Sequence, residues 1–218
     1  MVTFNFASQN RAVTVNDYYA LIRKMPGKYG APAKVAITEE DNKININIVS
    51  YDSTGSLTQT VSNTLKTNLA NYLSNYRMIN DYISINVAQV IDLEFDISVV
   101  VDAAQNQGEV ITRVIDKIQT LMSPVFREMG GNVFISEIRS QVQDVAGVIS
   151  VTDLKVFNKV GGQYSSSETS QRYANSATKE ILLVDDTIFA EPSQIYQVRF
   201  PNKDIKVRIK NLKTVDFS

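Results

Sequence analysis

Ile44, Ile46 and Ile48 alternate with Asn45 and Asn47, the two-residue rhythm of a strand that buries one face. The run from Lys43 to Ser50 therefore reads as a strand, and Ala33 to Thr38 as its hairpin partner, with Glu39-Glu40-Asp41-Asn42 as the turn. On either side the rhythm changes to three and four residues. Thr14 followed by Asp17 has the form of a capping box and opens a helix of about three turns that stops at Lys24-Met25-Pro26-Gly27. Val61, Leu65, Leu69, Tyr72 and Tyr76 predict a second helix that packs on the hairpin, and Tyr82 to Val87 a third strand.

The pattern restarts near Gln89. Ile91, Leu93, Phe95, Ile97, Val99 and Val101 alternate with Asp92, Glu94, Asp96 and Ser98, predicting a long strand with one buried and one wet face. From Glu109, the residues Ile111, Val114, Ile115, Ile118, Leu121, Met122, Val125 and Met129 recur at helical spacing until Gly130-Gly131. Ile138, Val142 and Val145 mark a shorter helix ended by Gly147, and Val148 to Phe157 returns as a strand that pairs with the long one. Asn158 to Lys179 has no apolar period and reads as a mobile loop that orders against a partner. Ile181 to Val184, Ile195 to Phe200 and Ile205 to Lys210 read as short strands, the last two forming a hairpin through Pro201-Asn202-Lys203-Asp204. The sum is an α+β chain of two modules. Residues 1–88 hold helix, hairpin, helix and strand; residues 89–218 hold a β-α-α-β unit, the polar loop 158–179 and the C-terminal hairpin.

Composition narrows the chemistry. The 218 residues contain no His, Cys or Trp, so the usual proton shuttle, thiolate nucleophile and soft metal ligands are missing. Catalysis would have to run on carboxylates, lysines and hydroxyls, which favours a structural or binding role. With 22 Lys and Arg against 23 Asp and Glu, the net charge of -1 supplies no overall field toward nucleic acid or an anionic membrane. No apolar run reaches the roughly 18 to 20 residues that span a bilayer, and Met1 to Phe6 lacks the form of a signal peptide. Without Cys there are no disulfides, which suits assembly in a reducing cytoplasm.

Asp92, Glu94 and Asp96 could hold a divalent cation in principle, but carboxylates spaced two apart on a straight strand read as a solvated sheet face. Asp185-Asp186 beside Thr187 reads as a turn. Gly27, Gly30, Gly130, Gly131, Gly161 and Gly162 give no phosphate-binding spacing. Lys203, Lys206, Arg208, Lys210 and Lys213, with Tyr196 and Phe200, could form a nucleic-acid face. Their alternation with Val207 and Ile209 instead reads as the exposed side of an edge strand guarded by charge. Tyr72, Tyr76 and Tyr82 read as half-buried core rather than a stacking platform. No residue is singled out as catalytic, cofactor-binding or metal-ligating, and no cofactor or small-molecule substrate is expected. Two readings from other classes remain open: a hydrolase built on an Asp or Glu pair, and a nucleic-acid-binding accessory protein using residues 203–213.

One likeness carries further. Arg11 to Leu21 (Arg-Ala-Val-Thr-Val-Asn-Asp-Tyr-Tyr-Ala-Leu) and Leu69 to Ile79 with Asn75-Tyr76-Arg77-Met78-Ile79 resemble the middle of baseplate J-like proteins. Phe95 to Val101, the helix after Glu109, Met129-Gly130-Gly131-Asn132-Val133 and Val145 to Val151 resemble the C-terminal part of that family in the same order. The likeness covers residues 11–157 and stands nearest the wedge subunits of T4-like contractile-tailed phages. It implies a non-enzymatic building block of a phage tail baseplate, assembled in the host cytoplasm. Such a block would occur as a homodimer within each wedge, contact other wedge proteins and help close the wedges into a ring. It also implies that the chain corresponds to the C-terminal portion of such proteins, and residues 158–218 extend past the shared pattern.

Overall fold

The computed structural model describes residues 11–41 and 43–210. The chain divides into two compact units, Met1–Gln89 and Val90–Ser218, each with its own apolar core.

In the first unit, helix α1 (Val15–Lys24) opens on a true capping box. The Asp17 amide donates to Thr14 Oγ1 (3.3 Å) and the Thr14 amide donates to Asp17 Oδ2 (2.9 Å), so two otherwise orphaned donors are satisfied. Strands β1 (Lys34–Glu40) and β2 (Lys43–Tyr51) form the hairpin in antiparallel register, Val35 opposite Ile48 and Ile37 opposite Ile46. Glu39 and Glu40 belong to β1, so the turn is tighter than expected; Asp41 takes a positive φ of 47°, and Asn42 lies outside the described residues. After the two-residue strand β3 (Leu57–Thr58), helix α2 (Asn63–Ser74) starts from Ser62, whose hydroxyl accepts from the Leu65 amide, and crosses to β4 (Tyr82–Val87). β4 then runs parallel to β2. Leu65, Leu69 and Leu73 of α2 and Tyr18 and Ile22 of α1 bury Ile44, Ile46 and Ile48. Tyr18 is buried to its tip, where its hydroxyl donates to Asp81 (2.7 Å). Tyr72 and Tyr76 meet with tilted rings 5.2 Å apart, half-buried as expected, but Tyr82 is 66% exposed and does not belong to the core.

The second unit is built on β5 (Gln89–Val101), paired antiparallel with β7 (Val148–Lys159) from Asp92–Lys159 to Val101–Val148. Ile91, Leu93, Phe95, Ile97 and Val99 all point into a core covered by α3 (Gln107–Leu121) and α4 (Ile135–Gln143). Val114 and Ile118 are fully buried, and removing each such side chain from water contributes about 1.5–3 kcal/mol. α3 ends at Leu121, short of the expected Gly130. Pro124 has no amide proton to continue the helical ladder and disfavours the helical conformation at the residue before it, so the apolar spacing continues past the point where the backbone can. Val125 is consequently 67% exposed rather than part of the stripe. Gly147 (φ 95°) turns the chain from α4 into β7 where a Cβ would sit 2.7 Å from Val110 Cγ2.

The C-terminal part departs from the expected hairpin. The remaining strands are β6 (Val133–Phe134), β8 (Tyr173–Asn175), β9 (Glu180–Ile181), β10 (Thr187–Ile188), β11 (Gln194–Gln197) and β12 (Ile205–Ile209). β11 and β12 each pair with β5, β12 in parallel, and Pro201–Asp204 forms one helical turn between them (α5). A hairpin would have run β12 antiparallel to β11; joining both to β5 instead buries Ile195, Tyr196 and Ile205. β9 joins β7 to β8, and β10 pairs with β6.

Candidate functional site

The polar face of β5 is covered, contrary to the solvated face its alternation predicts. Asp92 is fully buried, Glu94 and Ser98 are buried, and Asp96 is half-buried. The reason lies in the neighbouring strands. In the β5–β7 register Asp92 lies opposite Lys159 and Asp96 opposite Lys155, while parallel pairing puts Lys206 beside Asp96 and Arg208 beside Ser98. A column of carboxylates thus runs between two columns of cations. Glu94 is bridged on both sides, by Lys159 at 3.2 Å and Lys206 at 2.7 Å, and Arg208 pairs with Asp96. Lys155 reaches Glu180 of β9 at 3.2 Å. Over this ladder lies a polar cavity of about 340 Å³ lined by Asp96, Asp153, Lys155, Phe157, Glu180 and Arg208 among others.

At the start of β5 the carboxylates are held by neutral donors. Asp92 Oδ1 accepts from Gln197 Nε2 (2.9 Å) and Oδ2 from the Ser165 amide (2.7 Å). Burial nevertheless pushes its carboxyl above the ordinary carboxylate range, against the pull of those two hydrogen bonds and of Arg199. Asp204, also fully buried, accepts from Tyr164 OH (2.6 Å) at Oδ1 and from the Phe200 amide (2.9 Å) at Oδ2. Burial and the Asp204 bond raise the Tyr164 phenol. Beyond them Asn158 Oδ1 accepts from the Thr169 amide (2.8 Å) and Tyr173 OH (3.0 Å), and Thr169 Oγ1 meets Tyr196 OH at 2.8 Å. Burial also raises Tyr196, and it lifts Tyr173 to about 12.

Glu94 and Asp96 pair with Lys206 and Arg208, so part of the candidate metal face and part of the candidate nucleic-acid strand form one charge ladder, while Asp92 is held by Gln197 and Ser165 instead. Each oxygen of Asp92 and of Asp204 is engaged by a donor within the chain, which suits a structural role for both. Asp185 and Asp186 form the expected turn, both at positive φ, between bridged Val184 and Thr187. Lys203 lies 5.6 Å from the Tyr164 ring, and Lys213 is outside the described residues. Among the described residues no cluster of carboxylates has the form of a metal site, and no helix is long and apolar enough to cross a membrane.

The loop 158–179 is the largest correction. It does not wait for a partner: Tyr164, Ser165 and Thr169 attach it to its own sheet through buried polar groups. Asn158, Tyr164, Ser165, Gln197 and Asp204 were not legible as site residues. Tyr164 and Tyr173, the two aromatics in a polar stretch, are the visible signal.

No protein-family model matches this chain, and no curated protein sequence matches it. Solved structures do. The α+β fold is shared with a chain of a prophage baseplate. That chain belongs to the cryo-EM structure of the anti-feeding prophage baseplate, 6-fold symmetrised, and it aligns at a TM-score of 0.57 with 14% sequence identity over 89% of this chain. The match covers 39% of the baseplate chain, so this chain spans well under half the length of its structural counterpart. At that identity, the likeness establishes a common fold.

Proposed function

We propose that this chain is a structural subunit of the baseplate of a contractile tail or related injection machine, where it contacts other baseplate proteins. The carrying observation is the fold likeness to an anti-feeding prophage baseplate chain across 89% of the residues. The family likeness in residues 11–157 points the same way. The site is compatible with it physically, because Glu94 and Asp96 are matched by Lys159, Lys206 and Arg208, and both oxygens of Asp92 accept hydrogen bonds within the chain. In the finer reading the chain is a wedge component that pairs with a second copy and helps close wedges into a ring, without enzymatic activity. The pairing rests on the family likeness alone. Deleting the gene in its native source tests the role. Loss of assembled contractile particles from electron micrographs, restored by the gene in trans, is the expected result; unchanged particles would refute it. Sedimentation of the purified chain at micromolar concentration tests the pairing, a strict monomer counting against it.

A further inference from the structure

Residues 160–172 cross the second sheet without entering its core. Among the described residues of this segment none joins the apolar cluster that holds the unit together, whereas Val156 before it and Ile181 after it both do. Every strong attachment is polar. Ser165 donates its amide to Asp92 (2.7 Å) and its hydroxyl to the Val90 carbonyl, Tyr164 donates to Asp204 (2.6 Å), and the Thr169 amide donates to Asn158 (2.8 Å). The Tyr164 ring meets Phe200 edge-on at 5.6 Å and lies under Lys159 and Lys203, each 5.6 Å from its centre. These bonds fall where β7 runs out: the β5–β7 register ends at Asp92–Lys159, and the Ser165 hydroxyl supplies a donor to Val90 beyond it. At the leading end Gly161 and Gly162 both take positive φ (80° and 65°), and a Cβ on either would meet nothing within 4 Å. Polar bonds exchange for water at small net cost, whereas buried apolar surface does not, so such a segment opens more readily than the sheet beneath it.

We infer that residues 160–172 form a polar strap that opens as a unit while the β5–β7 sheet stays packed, baring the Val90 carbonyl and the Asp92 carboxylate at the start of β5. Hydrogen exchange read by NMR on the whole chain tests this. The Ser165 and Thr169 amides, whose acceptors are side chains beneath the strap, should exchange together and at least ~10-fold faster than the amides of the β5–β7 ladder. Tyr164→Phe removes one hydrogen bond to a carboxylate and should speed both strap amides about ten-fold, leaving the ladder unchanged. Ser165→Ala, which deletes only a hydroxyl, should speed Thr169 as well, four residues from the change. The inference fails if the strap amides exchange at the ladder's rate. It fails equally if these variants leave them unmoved, or accelerate strap and ladder alike.

Discussion

Replacing Glu94 by Gln removes the charge at the centre of the ladder while keeping the shape of the side chain. Its carboxylate is only 10% exposed and faces Lys159 at 3.2 Å and Lys206 at 2.7 Å. At such separations each pair is worth about 5 kcal/mol of gross Coulomb energy at an effective dielectric near 20, before desolvation and side-chain ordering are subtracted. The two lysine side chains are 34% and 50% exposed, so once unpaired they can turn to water, and the loss stays well below the ~3–5 kcal/mol of a fully buried broken pair. The net expectation for Glu94→Gln is a loss of about 1–2 kcal/mol, or roughly 4–8 °C in the melting temperature of a unit this size. Lys206→Met should cost less, since Glu94 keeps Lys159. Urea unfolding of the two single variants and the double variant gives their coupling, expected at about 0.5–1.5 kcal/mol. A change under ~0.3 kcal/mol on Glu94→Gln, or zero coupling, would show that the ladder contributes nothing and that the covering of this face has another cause.

Ile118→Asp places an unpaired charge where the side chain is fully buried and should cost several kcal/mol; a soluble variant with unchanged unfolding midpoint would contradict the packing of α3. Gly147→Ala should lose about 1–3 kcal/mol, from the φ of 95° and the 2.7 Å approach to Val110, and a neutral result in thermal melts would show that the turn relaxes freely. Asp92 gives a pH signature. Because burial raises its carboxyl, the folded state holds this proton more tightly than the unfolded chain does. The charged form therefore costs stability at neutral pH, and that cost is relieved as pH falls through the raised value toward the ordinary carboxylate pKa of about 3.9. In urea titrations wild type should gain on Asp92→Asn as the solution is acidified; a stability difference constant from pH 7 to 4 would refute the burial argument.

Where one period dominated, the sequence disclosed the structure. The Ile44-Ile46-Ile48 alternation, the Thr14 and Asp17 cap and the Val114 to Ile118 stripe each name their element, because local spacing and local chemistry suffice. The acidic face of β5 misled for the opposite reason. Alternating Asp92, Glu94 and Asp96 describe a wet face unless cations 65 and 112 residues away are brought alongside, and pairing with Lys159, Lys206 and Arg208 is a property of topology. The same holds for residues 158–179, whose lack of apolar period hides a segment fastened by buried hydrogen bonds. Pro124 is readable as a stop for α3, and the apolar spacing that continues past it masks that signal.

The measurement that bears most directly on a baseplate role is the position of this chain in an assembled particle. With the chain tagged at its native locus, contractile particles purified from the source and imaged by cryo-electron microscopy with a label on the tag should carry that label at the tail end, at a fixed copy number around the ring. Label spread along the sheath, lodged in the head, or absent from intact particles would contradict the account.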